Sequence, residues 1–125
     1  MSATKKTILV VDDVPDNIRL IIDLLKHKYT VLVANGGAKA LEILSKVPVI
    51  DLVLLDIMMP DINGIEVMKQ MAANPNWKKI PVVFLTADAR GDTLWNGFDL
   101  GAKDYILKPI VPEILQVRVQ EYLED

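Results

Sequence analysis

Asp56 closes the apolar run Leu52-Val53-Leu54-Leu55, and Asp12-Asp13, Thr86 and Lys108 each close another such run. In an open α/β sheet the carboxyl ends of the strands face the crevice where ligands bind. Four polar signals at four run ends therefore imply one shared site holding three carboxylates, a hydroxyl and an ammonium. Such a set suits a divalent cation and a transferable phosphoryl group rather than an apolar ligand. If the ends of the first and third strands are neighbours, Asp12, Asp13 and Asp56 crowd together. Like charges about 4 Å apart repel by roughly 1 kcal/mol in water and several-fold more when partly buried, so something positive must offset them. Hard carboxylate oxygens suit Mg²⁺, with Mn²⁺ as the alternative. Mg²⁺ typically takes one or two carboxylates and completes its octahedron with water and phosphate oxygens.

A carboxylate attacking phosphorus forms an aspartyl phosphate, so Asp56 is a candidate nucleophile. In such a transfer the protein chiefly aligns attacker and donor and spreads charge over the moving oxygens. Lys108 supplies a fixed ammonium for this, and Thr86 a hydroxyl that can reach a phosphoryl oxygen after transfer. Pro109 follows Lys108 directly, and a rigid turn there, with a cis peptide bond open to it, would fix the lysine's aim. Taken alone, each signal has a plainer reading. An Asp-Asp pair after a strand is a common helix N-terminal signal, a lysine before proline is a solvated loop residue, and threonine favours strands. Their combination at four strand ends reverses those odds.

The elements that must position these groups are five apolar runs alternating with five helical segments. The runs are Thr7 to Val11, Thr30 to Ala34, Leu52 to Leu55, Val82 to Leu85 and Tyr105 to Leu107. Three are nearly continuous hydrophobic stretches, as expected of strands buried on both faces of a parallel sheet. Pro15 starts the first helix, which carries Ile18, Ile21, Ile22 and Leu25 on one face. Gly36-Gly37 opens the second, with Leu41 and Leu44, and Pro48 follows its end. Gly64 begins the third, with Ile65, Met68 and Ala72, closed by Asn74-Pro75. The fourth, between Gly91 and Gly101, holds Leu94 and Phe98 but also Asn96 and Gly97, giving it the lowest helix propensity of the five. The last runs from about Pro112 with Leu115, Val119, Tyr122 and Leu123. Strand-helix alternation of this kind predicts an α/β fold, a doubly wound five-stranded parallel sheet with helices on both faces.

Bulk properties narrow the function classes. A chain of 125 residues is one domain's worth with length enough for a core, so 1–125 is read as a single unit without repeat or linker. With 51% hydrophobic and 25% charged residues, the composition is globular. The absence of cysteine excludes disulfides, thiolate ligation and cysteine catalysis, and agrees with a reducing compartment. A net charge of -3 provides no basic field for nucleic acid, so direct binding of nucleic acid by this domain is not expected. The start, Met1 to Lys6, lacks the long apolar region of a signal peptide, and no stretch approaches the roughly 20 apolar residues of a membrane span. A cytoplasmic protein with no membrane partner is the expectation.

With these residues laid out, the chain resembles the receiver domain of two-component response regulators over essentially its whole length. The matching motifs are Ile8-Leu9-Val10-Val11-Asp12-Asp13, then Leu54-Leu55-Asp56-Ile57-Met58-Met59-Pro60 with Gly64 beyond, Pro81-Val82-Val83-Phe84-Leu85-Thr86-Ala87, and Gly101-Ala102-Lys103-Asp104-Tyr105-Ile106-Leu107-Lys108-Pro109. The resemblance implies a flavodoxin-like strand order 2-1-3-4-5. It implies that Asp56 accepts a phosphoryl group from a phosphohistidine on a histidine kinase or phosphotransfer protein. It also implies that Asp13, Asp56 and the backbone carbonyl of Met58 ligate Mg²⁺, with Asp12 completing the metal site mainly through water. Thr86 and Tyr105 resemble the pair that couples phosphorylation to a shape change, read by a downstream protein or output domain on the face of the fourth helix, fifth strand and fifth helix. The expected state is a monomer, or a dimer that depends on phosphorylation.

Met58 and Asp88 stand where family members vary and where side chains help or hinder a water attacking the phosphoryl group. Trp77 is expected at the core edge, Trp95 either exposed for a partner or in the core, His27 as an exposed carbonyl cap, and the five methionines as core filler. Two other functions compete with the signalling switch, which would catalyse only its own phosphorylation and dephosphorylation. An Mg²⁺-dependent aspartyl phosphohydrolase resembling the haloacid dehalogenase group usually carries a second Asp two residues past its nucleophile, where this chain has Met58. A flavin carrier would need a phosphate loop rich in glycine and hydroxyls, whereas the first loop here is Asp12-Asp13-Val14-Pro15.

Overall fold

A computed structural model of the chain describes residues 5–124; Met1 to Thr4, part of the basic start considered above, and Asp125 lie outside the described residues. The elements alternate without exception: β1 (Thr7–Val11), α1 (Pro15–Leu25), β2 (Thr30–Ala34), α2 (Gly37–Lys46), β3 (Leu52–Asp56), α3 (Gly64–Ala73), β4 (Val82–Thr86), α4 (Asp92–Asp99), β5 (Asp104–Leu107) and α5 (Pro112–Leu123). All four strand pairings are parallel and the order is β2-β1-β3-β4-β5. The expected doubly wound α/β fold is therefore the one observed.

Side-chain alternation along the strands divides the core into two layers. Ile8, Val10, Leu52, Leu54, Val83, Leu85 and Ile106 face α1 and α5, meeting Ile21, Leu25, Leu115 and Val119. Leu9, Val11, Val53, Leu55 and Phe84 face the other way, onto Leu44 of α2, Val67 and Met71 of α3 and Leu94 of α4. Because β3 and β4 are covered on both sides, every residue in them is buried, which is why those segments read as unbroken apolar runs. Each fully buried Leu, Val or Phe contributes roughly 1.5–3 kcal/mol, so the paired layers supply the rigidity on which the strand ends depend.

Several local expectations change against the structure. Asp56 and Thr86 are the last residues of β3 and β4, at the strand ends expected of them and one residue past the apolar runs, but β5 begins one residue earlier, at Asp104. The low propensity of α4 has a packing cause. A Cβ on Gly97 would lie 2.1 Å from Phe84 Cε2, so glycine lets the helix settle onto the central strand. Met58 is not core filler: it is 75% exposed, whereas Met59, Met68 and Met71 are buried. His27 is exposed in the turn after α1 and caps no carbonyl among the described residues, where the carbonyl of Lys26 receives Lys5 Nζ at 3.4 Å instead. Trp77 is half-buried against the α2–α3 layer, and Trp95 is 61% exposed with its ring edge-on to Phe98.

Candidate functional site

Strand register brings the polar run ends into line. Val11 pairs with Leu55, Asp56 with Leu85 and Thr86 with Leu107, so the residues closing β1, β3, β4 and β5 emerge at one edge of the sheet. Backbone bonds extend the ladder past the strands, from Asp12 N–H to the Ala34 carbonyl at 3.1 Å and from Lys108 N–H to the Thr86 carbonyl at 2.8 Å. Asp12 and Asp56 thus follow or close interior strands, while Lys108 follows the edge strand β5 and is held by β4 alone.

At the centre, Lys108 Nζ lies 3.0 Å from Asp12 Oδ2 and 3.2 Å from Asp56 Oδ1. Asp12 and Asp56 are buried, and Lys108 is mostly so, at 18% side-chain exposure. Asp12, Asp13 and Asp56 offer carboxylate oxygens within 4.8 Å of one another. Asp12 has little coordination capacity left. Its Oδ1 accepts the Val14 N–H at 2.9 Å, and its Oδ2 takes Asn17 Nδ2 at 3.3 Å besides Lys108. Asp56 Oδ1 likewise holds two donors, Lys108 and the Met58 N–H at 3.3 Å. The lysine links β5 to β1 and β3, and its peptide bond to Pro109 is cis.

Electrostatics follow from this crowding. Burial pushes the Asp56 carboxyl up to about 6, the neighbouring Asp12 charge pushes the same way, and Lys108 opposes both. Burial alone would lower Lys108, but Asp12 and Asp56 outweigh it and hold the ammonium above its ordinary range. A single cation thus leaves the carboxylate trio under-neutralised. An oxygen-only donor set with excess negative charge is the chemistry of a site for a hard divalent cation such as Mg²⁺, and the residues fit that group.

The structure brings together Asp12, Asp13, Asp56 and Lys108, while Thr86 and Tyr105 sit apart from the carboxylates in their bonding. The buried Thr86 hydroxyl donates to the Asp88 carbonyl at 3.0 Å and accepts the Asp88 N–H at 3.1 Å. Asp88 itself turns onto its own loop, its carboxylate accepting the Arg90 N–H at 2.9 Å. Tyr105 is half-buried, its ring 6.2 Å from that of Phe98. Asp61, which has no signal in the local pattern, joins the loop after β3 to α2 by accepting the N–H groups of Gly37 at 3.2 Å and Ala38 at 3.1 Å. Backbone N–H groups, that of Ala38 foremost, hold its carboxyl below the ordinary range.

Comparison with known proteins agrees with this geometry. The profile describing the response regulator receiver domain matches residues 8–120. The chain is 46% identical over 119 residues to a probable cyclic di-GMP phosphodiesterase of Vibrio cholerae, covering 95% of this chain but 27% of that protein. Among solved structures, the chemotaxis protein CheY4 of Vibrio cholerae superposes with a TM-score of 0.89 at 27% identity, covering 96% of this chain and all (100%) of the other. The receiver domain of the sensor histidine kinase PA1611 from Pseudomonas aeruginosa, described with a magnesium ion coordinated in its active site cleft, gives 0.87 at 27% identity, covering 98% of this chain and 100% of that one. The chain spans about a quarter of the length of the first curated relatives it matches, at 27% and 25%.

Proposed function

The chain belongs to the response regulator receiver domains, and on that footing we propose that residues 1–125 act as one phosphoacceptor unit in which Asp56 takes a phosphoryl group. The donor is a phosphohistidine on a histidine kinase or phosphotransfer protein. The observation that carries this reading is the bridge of Lys108 Nζ to both Asp12 and Asp56, at 3.0 and 3.2 Å, beside a third carboxylate.

Asp56 Oδ1 already holds Lys108 and the Met58 N–H, which leaves Oδ2 to attack phosphorus. The O–P bond forms as the N–P bond of the donor breaks, and the imidazole leaves. Lys108 is placed to balance charge on the phosphoryl oxygens, and the rigid strand ends hold the attacker in place. Asp13, Asp56 and the Met58 carbonyl would hold Mg²⁺, or Mn²⁺ in its stead, with Asp12 linked through water. Bound there, the ion offsets the carboxylate charge and polarises the phosphoryl group. Thr86 must exchange its two bonds to Asp88 for one to a phosphoryl oxygen, and Tyr105 follows on the face of α4, β5 and α5 where a downstream protein or output domain reads the change. No described helix is long and apolar enough to cross a membrane; separately, the proposed unit is a cytoplasmic switch that catalyses only its own phosphorylation and dephosphorylation. Met58, exposed and without a carboxylate, stands where an aspartyl phosphohydrolase would have its second acid.

Incubation of the protein with Mg²⁺ and a small acyl phosphate should add one phosphoryl group, seen by intact mass. Asp56→Asn should abolish it, and chelation should suppress it. Labelling that survives Asp56→Asn would overturn the assignment.

A further inference from the structure

The loop from Ile57 to Asn63 carries Met58, is joined to β4 at its start by the Ile57 N–H donating to the Leu85 carbonyl at 3.3 Å, and is fastened at three further points. The Met58 N–H donates to Asp56 Oδ1 at 3.3 Å, and the Gly64 N–H donates to the Ile57 carbonyl at 2.8 Å. The third fastening is Asp61, whose carboxylate takes the N–H groups of Gly37 and Ala38, the first two residues of α2. α2 has no side-chain cap of its own, since its N-cap is Gly36, so a residue 24 positions away along the chain satisfies its free donors. The fit is close. A Cβ on Gly36 would stand 2.8 Å from Asp61 Oδ2, and one on Gly37 would stand 2.4 Å from the Ile62 carbonyl oxygen. The Gly36-Gly37 pair is what allows the loop to lie against the helix start.

Met58 is 75% exposed, so packing of its own side chain does little to orient its peptide. The direction of its carbonyl depends on how the loop is tied down. We propose that Asp61 is a positioning residue for the cation site: by pinning the loop to the start of α2 it aims the Met58 carbonyl at the ion held by Asp13 and Asp56. This inference rests on the magnesium reading above. Asp61 touches neither the ion nor the phosphoryl group, and acts through the loop backbone. Groups that orient a metal ligand typically govern affinity by about 10–100-fold.

The test is calorimetric titration of Mg²⁺ into the metal-free full chain for the parent protein, Asp61→Ala, Asp61→Asn and a control, Asp51→Ala. Asp51 accepts the Thr7 N–H at 2.8 Å at the opposite end of the sheet, so the control loses a comparable contact without touching the loop. Asp61→Ala should weaken binding on the order of 10-fold. Asp61→Asn should weaken it less, because its amide oxygen still accepts one N–H, and it serves in place of the alanine variant if that fails to fold. The control should stay near the parent. The Asp61 effect should persist at about 1 M salt, where a Debye length of roughly 3 Å removes simple attraction by a distant charge. Hydrogen exchange at Met58 and Ile62 should quicken in metal-free Asp61→Ala. If the parent binds Mg²⁺ and the Asp61 variants bind as the control does, or if their deficit vanishes at high salt, the positioning role is refuted while the acceptor reading stands. If the parent binds no Mg²⁺, both fall.

Discussion

Asp56→Asn should make the metal-free protein more stable at neutral pH, although it removes the proposed acceptor. Asp56 is 3% exposed, and burial, followed by the Asp12 charge, raises its carboxyl from 3.8 to about 6 even after the attraction of Lys108 is included. A group with a raised folded pKa favours the fold when protonated. Its contribution is therefore present below the unfolded value near 4 and is lost as pH rises through about 6. Roughly two pKa units at about 1.4 kcal/mol each place the cost of the ionised carboxylate at about 3 kcal/mol above pH 7. Asparagine cannot ionise, keeps an oxygen for the Met58 N–H, and leaves Lys108 paired with Asp12 at 3.0 Å. For a domain of this size the gain corresponds to a Tm increase of roughly 10 °C. Thermal and urea unfolding of both proteins in chelator, from pH 4 to pH 8, would show the gap opening as pH rises. Saturating Mg²⁺ should narrow or invert it, because only the parent carboxylate gains from the ion. A variant no more stable than the parent at pH 8 in chelator, or a gap indifferent to pH, would refute the account of the trio as under-neutralised.

Lys108→Met removes the cation between two buried carboxylates and should cost about 3 kcal/mol by urea unfolding at pH 8 in chelator, with much of the loss recovered when Asp56→Asn is added. Gly97→Ala should destabilise by roughly 1–3 kcal/mol despite its better helix propensity, since the new methyl meets the Phe84 ring; an unchanged urea midpoint would contradict the packing. Tyr29 is raised to about 12 by burial and by its hydrogen bond to Glu124, so part of the stability should be lost as pH climbs from 10 to 12. Tyr29→Phe should lack that part, and absorbance titration of the folded protein should show one fewer late-ionising tyrosine.

What was legible in the chain, and what was not, divides along a physical line. The strands could be read because β1, β3 and β4 are covered on both faces, and a segment with no solvent side has no reason to carry polar residues until it leaves the core. The residue at which polarity returns then marks the mouth of the sheet. That is why Asp12, Asp56, Thr86 and Lys108 stood out, and why Asp12, Asp56 and Lys108 meet there. The boundaries slipped by one residue at Asp56, Thr86 and Asp104 because the ladder continues under polar side chains, which composition counts as outside the strand. Met58 and Met59 show the opposite failure: two identical side chains in succession give no periodicity to decide which is buried, and the loop settles it, leaving one at 75% exposure and the other at 9%.

Asp61 and Gly97 lay beyond sequence for a different reason. Each answers to a partner far along the chain, the start of α2 in one case and the ring of Phe84 in the other, so the local pattern shows only a polar loop and a weak helix. Both also relate the strand ends to the helices around them. Gly97 lets α4 lie close on β4, whose last residue is Thr86, and Asp61 ties the loop that follows β3 to α2. The candidate site groups were thus readable because they interrupt an apolar rule. The groups that set their geometry break no local rule, and only the assembled fold exposes them. A search for positioning residues in this fold should therefore begin from backbone donors left open at helix starts and from glycines under rings, and ask which distant side chain each one admits.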